Sequence, residues 1–147
     1  MPETLTAAQR AGLAAFAATM IPASARFAVP GADDPAILDD IARSLERDHG
    51  DVCAALARLD ALAGSTFADL PPARRLEVAE RWRSEGGLPV AALCRIVLLC
   101  YYRDDRVMQA LGQEARPPFP KGHAVEPGDW SLLDPVRARP PIWRNPG

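Results

Sequence analysis

The chain is 147 residues long with a net charge of −2, a length that suits one domain with a real core rather than two. Its mildly acidic balance, with the arginines spread out, argues against a nucleic-acid binder, which needs a basic face to neutralise phosphates. Three cysteines, Cys53, Cys94 and Cys100, are odd in number and set in apolar segments, so they read as buried, reduced thiols rather than a disulfide framework or a metal motif.

The opening Met1-Pro2-Glu3-Thr4 has no basic stretch followed by an apolar run, so no secretory signal is expected in the sequence as written, and the expected location is cytoplasmic. The most apolar stretch, Ile96 to Tyr102, is far short of the ~20 residues that cross a bilayer, and no membrane span is expected.

Thr6-Ala7-Ala8-Gln9 carries the capping-box pattern, and Leu13, Phe16, Ala17 and Met20 follow at helical spacing until Pro22 ends the run. Residues 21–34, with Pro22, Pro30 and Gly31, read as a loop, and Asp34-Pro35 restarts a helix whose buried stripe is Ile37, Leu38, Ile41 and Leu45. Gly50 interrupts, Asp51 caps, and Val52, Leu56, Leu59 and Leu62 carry a third helix that ends near Gly64.

A short helical turn over 65–69 precedes Leu70-Pro71-Pro72, which starts a fourth helix with Leu76, Ala79 and Trp82 on its inner face and Gly86-Gly87 at its end. A fifth helix begins at Pro89 and is apolar on nearly every side, which predicts a central element surrounded by protein. A last short helix spans 104–111 and closes at Gly112. The expected fold is all-α: a compact bundle of about five helices over 1–111 and an extended, proline-rich arm over 112–147, one domain overall.

That arm holds more than half of the fifteen prolines and two of the three tryptophans. Proline removes a backbone donor and fixes φ, so neither a regular helix nor a central strand is expected there. The arm has too few large apolar side chains to order itself. It is expected to dock on the body or on a partner, with Trp130 and Trp143 as anchors, or else to remain a mobile terminus.

Chemistry is sparse. Neither His49 nor His123 has a metal-ligand spacing to another His, Cys or carboxylate pair. His49, between two helices, suits the last carbonyls of the second; His123 follows a rigid proline run and is the more open case. Arg74, Arg75, Arg81 and Arg83 alternate with Glu77, Glu80 and Glu85 as a solvated face. Asp33-Asp34, Asp39-Asp40 and Asp104-Asp105 are sequence neighbours, which a helix splays apart, and they read as caps. Tyr101-Tyr102 reads as core on one side and interface on the other.

Three features together resemble the gluconate 2-dehydrogenase subunit 3 family. They are Leu5-Thr6-Ala7-Ala8-Gln9-Arg10 with Ile21-Pro22-Ala23, the stretch from Leu98-Leu99-Cys100-Tyr101-Tyr102-Arg103-Asp104-Asp105 to Ala110-Leu111-Gly112, and Pro117-Pro118-Phe119-Pro120-Lys121-Gly122-His123. The resemblance implies a non-catalytic small subunit that binds and stabilises or matures a larger flavoprotein, which carries FAD and oxidises a sugar or alcohol hydroxyl, with a cytochrome as electron acceptor in some members. Members of that family often supply a twin-arginine export leader; none is expected in the sequence as written, and the expected location is periplasmic if a leader has been removed.

On this reading the chain holds no catalytic residue, cofactor or metal, and the expected partner contacts are Tyr101, Tyr102, Phe119, His123, Trp130, Leu133 and Trp143. Two alternatives stand beside it: a helical adaptor for an unrelated partner, and a small enzyme built on His123 with Asp129 or Tyr102.

Overall fold

The first helix shows how locally the fold is determined. In the computed structural model, which describes residues 4–117, 119, 121–122 and 124–140, the Thr6 hydroxyl accepts from the Gln9 N–H at 3.2 Å and the Gln9 side chain accepts from the Thr6 N–H at 2.8 Å. This reciprocal cap launches α1 (Ala7–Met20). The chain then crosses a loop in which Ser24 and Val29 exchange two backbone hydrogen bonds. Asp34 caps α2 (Pro35–Arg43), with Pro35 in the first turn where its missing donor costs nothing.

A 3₁₀ turn over Glu46–Asp48 runs directly into α3 (His49–Ala63), which ends at Gly64 in the left-handed conformation, φ 68°. A second 3₁₀ turn, Phe67–Asp69, is tied back by the Phe67 N–H donating to Asp60 at 2.7 Å. Then come α4 (Pro72–Glu85), α5 (Leu88–Arg103) and the short α6 (Asp105–Ala110).

The chain divides into two units, residues 1–115 and 116–147. In the first, α3 packs against α5, α4 and α1, while α2 packs on α5. The core gathers Leu13 and Phe16 from α1, Ile37 and Ile41 from α2, Val52, Leu56 and Leu59 from α3, Trp82 from α4, and Leu93, Ile96 and Val97 from α5. Among the described residues the fold is helical, with one isolated backbone bridge and no strand. Among the described residues, no helix is long and apolar enough to cross a membrane.

In the second unit, residues 130–137 form a 3₁₀ turn, Trp130–Leu133, leading into α7 (Asp134–Arg137). The proline content argues against helix here, but Pro135 sits in the first turn of α7, where no intrahelical donor is required. Asp129 caps the segment by accepting from the Ser131 N–H at 3.0 Å.

Four further expectations need correction. The third helix starts at His49 and runs through Gly50, because a glycine in a first turn is a modest cost once the preceding 3₁₀ turn has set the chain direction. Leu45 is buried but lies beyond the end of α2. Of the inner face expected for α4, Trp82 is buried and Ala79 packs against the core, but Leu76 is 49 % exposed and Val78 is buried in its place; the helix carries two possible apolar stripes that share Trp82, and neighbouring helices select the 78/82 one.

The fourth correction matters most. Helix α5 buries Ala92, Leu93, Ile96, Val97, Cys100 and Tyr101 but leaves Leu88, Ala91, Leu98, Leu99 and Tyr102 exposed. Its neighbours cover one side only. An all-apolar helix signals that every side is suited to contact, not that this chain supplies all the contacts.

Candidate functional site

Apart from Arg103 at its end, the exposed residues of α5 fall at positions 88, 91, 95, 98 and 102, with Leu99 beside them. Steps of three, four, three and four residues put them on one face of the helix. Leu88 is 74 %, Leu98 39 %, Leu99 52 % and Tyr102 53 % exposed. Scattered exposed leucines are ordinary; a continuous apolar stripe on one helix marks a contact surface.

Arg95 stands in the middle of the stripe, its side chain half exposed. It donates from Nη2 to Asp48 Oδ2 at 2.7 Å. Arg47 also lies near that carboxylate, at 3.9 Å, so one carboxylate faces two guanidinium groups.

The expected contact residues divide. Tyr101 is buried, and its hydroxyl donates to the Pro30 carbonyl at 3.1 Å; burial pushes its phenol pKa up, so the hydroxyl keeps its proton. Tyr102 points outward, its ring edge-on to Tyr101 with centroids 5.2 Å apart. The pair thus splits into one core and one surface residue. Phe119, Trp130 and Leu133 belong to the second unit, where all three are exposed. His123 and Trp143 lie outside the described residues.

The remaining features of the first unit are structural. A polar cleft of about 300 Å³ is lined by Asp40, Arg43, Cys100, Arg103, Asp104 and Arg106, among others. Arg103 donates to Asp40 at 2.6 Å and to the Ser44 hydroxyl. Arg106 donates to both Asp34 oxygens at 2.9 and 3.0 Å and to Asp104. These hydrogen bonds hold the carboxyl groups of Asp34, Asp40 and Asp104 below the usual carboxylate range. Guanidinium groups so engaged clamp α2 to the α5–α6 junction and leave little charge for an anionic ligand.

An apolar groove of about 190 Å³ between Phe16, Met20, Leu76, Ala79 and Cys94 is smaller than a typical small-molecule site. Cys53 accepts from the Gln9 side-chain amide at 3.2 Å, and His49, at the start of α3, lies 3.8 Å from its sulfur. Among the described residues no group of three His, Cys, Asp or Glu side chains is placed to hold a metal ion.

No family model, curated protein or solved structure matches this chain. What bears on function is therefore the molecule's own geometry. The residues that sequence reasoning missed are Leu88, Ala91, Arg95, Leu98 and Leu99, although a signal was present. Arg95 is the only charged residue between Leu88 and Tyr102, and an arginine inside an apolar helix marks the direction of solvent. Positions three, four and seven residues from it on either side include every exposed residue of the stripe.

Proposed function

We propose that this chain is the non-catalytic small subunit of a heteromeric FAD-dependent sugar or alcohol dehydrogenase, binding the larger flavoprotein subunit and stabilising or maturing it. The observation that supports this reading is the exposed apolar face of α5. Three of its residues, Leu98, Leu99 and Tyr102, fall within the Leu98–Gly112 stretch that resembles the gluconate 2-dehydrogenase subunit 3 family. On this reading FAD sits in the partner, the electrons pass to a cytochrome or another acceptor, and the helical body serves to present a rigid face.

The test is co-expression with the large open reading frame adjacent to its gene, purification through a tag on the small chain, and an absorption spectrum. A stoichiometric complex with flavin bands is the expected result. A colourless chain recovered alone overturns the reading, and a stable complex with a protein lacking flavin replaces it with a helical adaptor.

A further inference from the structure

The exposed stripe of α5 specifies its occupant more closely than a hydrophobic patch alone does, and the argument rests on the partner-binding reading of that face but not on the partner being a flavoprotein. Residues 88, 91, 95, 98 and 102 repeat in the three–four pattern of a helix-to-helix seam. The seam runs about 21 Å along the axis, at 1.5 Å per residue. Its outer positions are Leu88, Ala91, Leu98 and Tyr102, and its midpoint is Arg95.

That midpoint decides between two occupants. If a second copy packed on the full length of this face with two-fold symmetry, the residue halfway between 88 and 102 would lie at the axis opposite its own equivalent. Arg95 would then meet Arg95 inside an otherwise apolar contact, with Asp48 already shared with Arg47 on each side. Like charges brought together under desolvation oppose assembly strongly. A partner with a carboxylate at the matching position meets the opposite situation: Arg95 uses Nη2 toward Asp48, and its remaining N–H groups can donate to a second acid.

We propose that this face takes a single amphipathic helix of a different protein, apolar along its seam and carrying a carboxylate at its centre opposite Arg95, and that the same arginine excludes self-association through this face. Arg95 acts as a selector: the flanking Leu88, Leu98, Leu99 and Tyr102 supply the contact area, and the central charge sets identity and register.

The probe is a synthetic amphipathic helix of about 21 residues, long enough to hold helical structure, with an apolar seam and one central seam position occupied by Glu or by Lys. Titrated against the full chain, the Glu peptide is expected to bind roughly tenfold or more tighter than the Lys peptide. Arg95→Glu is expected to reverse that order. All substituted positions are exposed, and circular dichroism verifies that the fold is retained. Equal affinity for the two peptides, or binding of neither, overturns the proposal.

Sedimentation of the free chain is the second arm: a monomer is expected. A dimer dissolved by the double substitution Leu98→Ser, Leu99→Ser would make a second copy the occupant and also overturn it. The subunit reading fails separately. A flavin complex that forms and survives the double substitution removes this inference alone, whereas charge-selective peptide binding with no flavin complex removes the flavoprotein reading alone.

Discussion

The Tyr101 hydroxyl donates to the Pro30 carbonyl at 3.1 Å, joining the last turn of α5 to a loop 71 residues earlier in the chain. The loop is closed on itself by the Ser24–Val29 pair and by Ala32 N–H donating to Ile21 at 2.9 Å, so this one side chain fixes a preformed unit to the helix that carries the exposed stripe. Removing the hydroxyl in Tyr101→Phe keeps the ring contact with Tyr102 and leaves the carbonyl without its donor. The expected loss is about 0.5–1.5 kcal/mol, read as a lower urea midpoint at unchanged slope. An unshifted midpoint would show that water serves Pro30 equally well.

Arg106 couples the start of α2 to the cap of α6, and the consequence is acid sensitivity. Its hydrogen bonds hold Asp34 and Asp104 below their usual pKa, so as pH falls the unfolded chain takes up these protons before the folded chain does. The contribution is complete above the unfolded value near pH 4 and is lost as pH falls through the folded values. Urea midpoints compared at neutral pH and at about pH 3 should therefore differ less in Arg106→Gln than in the wild type. Part of the dependence remains, because Asp40 is held down independently by Arg103. An identical pH dependence in the variant would show that the clamp contributes nothing.

Elements set by local chemistry were legible in the sequence. The Thr6–Gln9 box, the Asp34-Pro35 start and the left-handed Gly64 each satisfy backbone groups within a few residues, so type and spacing suffice to place them. What was not legible depends on neighbours: which of two stripes on α4 turns inward, and which side of α5 stays uncovered. Hydropathy records the suitability of a surface for burial, while coverage depends on how many helices the chain can bring to it. His49 shows the same limit: it opens α3, and its ring lies 3.8 Å from the Cys53 sulfur one turn ahead on the same helix.

The choice of stripe on α4 is itself testable. Trp82 is 1 % exposed and meets Phe16 edge-on, ring centroids 5.3 Å apart, a geometry that adds to simple area burial. Trp82→Ala is expected to cost roughly 3–5 kcal/mol, enough to consume a large part of a typical domain's stability. Leu76→Ala, on the half-exposed stripe, is expected to cost a fraction of that. Comparable losses at both positions in thermal or urea unfolding would contradict the assignment of the 78/82 face as the inner one.

Trp130 in the second unit is 68 % exposed, with Leu132 at 75 % on the same 3₁₀ turn. A tryptophan held on a capped, proline-flanked turn loses little freedom when it enters a partner's pocket, which is the property of an interface anchor. If the proposed large subunit is the partner, Trp130→Ala is expected to weaken its capture by tenfold or more, corresponding to about 1.4 kcal/mol or above, while the far-ultraviolet circular dichroism of the chain stays the same. Undiminished capture would remove Trp130 from the contact set.

Cys100 offers a check on the packing beneath the clamp. It is 1 % exposed, on the face of α5 turned toward the core, and burial pushes its thiol pKa up. Only the thiolate reacts at a useful rate, so burial disfavours modification twice, by blocking access and by keeping the proton on sulfur. Cys94 shares the raised pKa but is only half-buried, at the edge of the apolar groove. In the folded chain, alkylation followed by mass spectrometry is expected to label Cys94 well before Cys100, with Cys100 labelled at the rate of global opening. Arg103→Ala loosens the link to Asp40 and Ser44 and should accelerate Cys100 specifically. If Cys100 and Cys94 react together in the wild type, the α2–α5 contact opens far more readily than its packing implies.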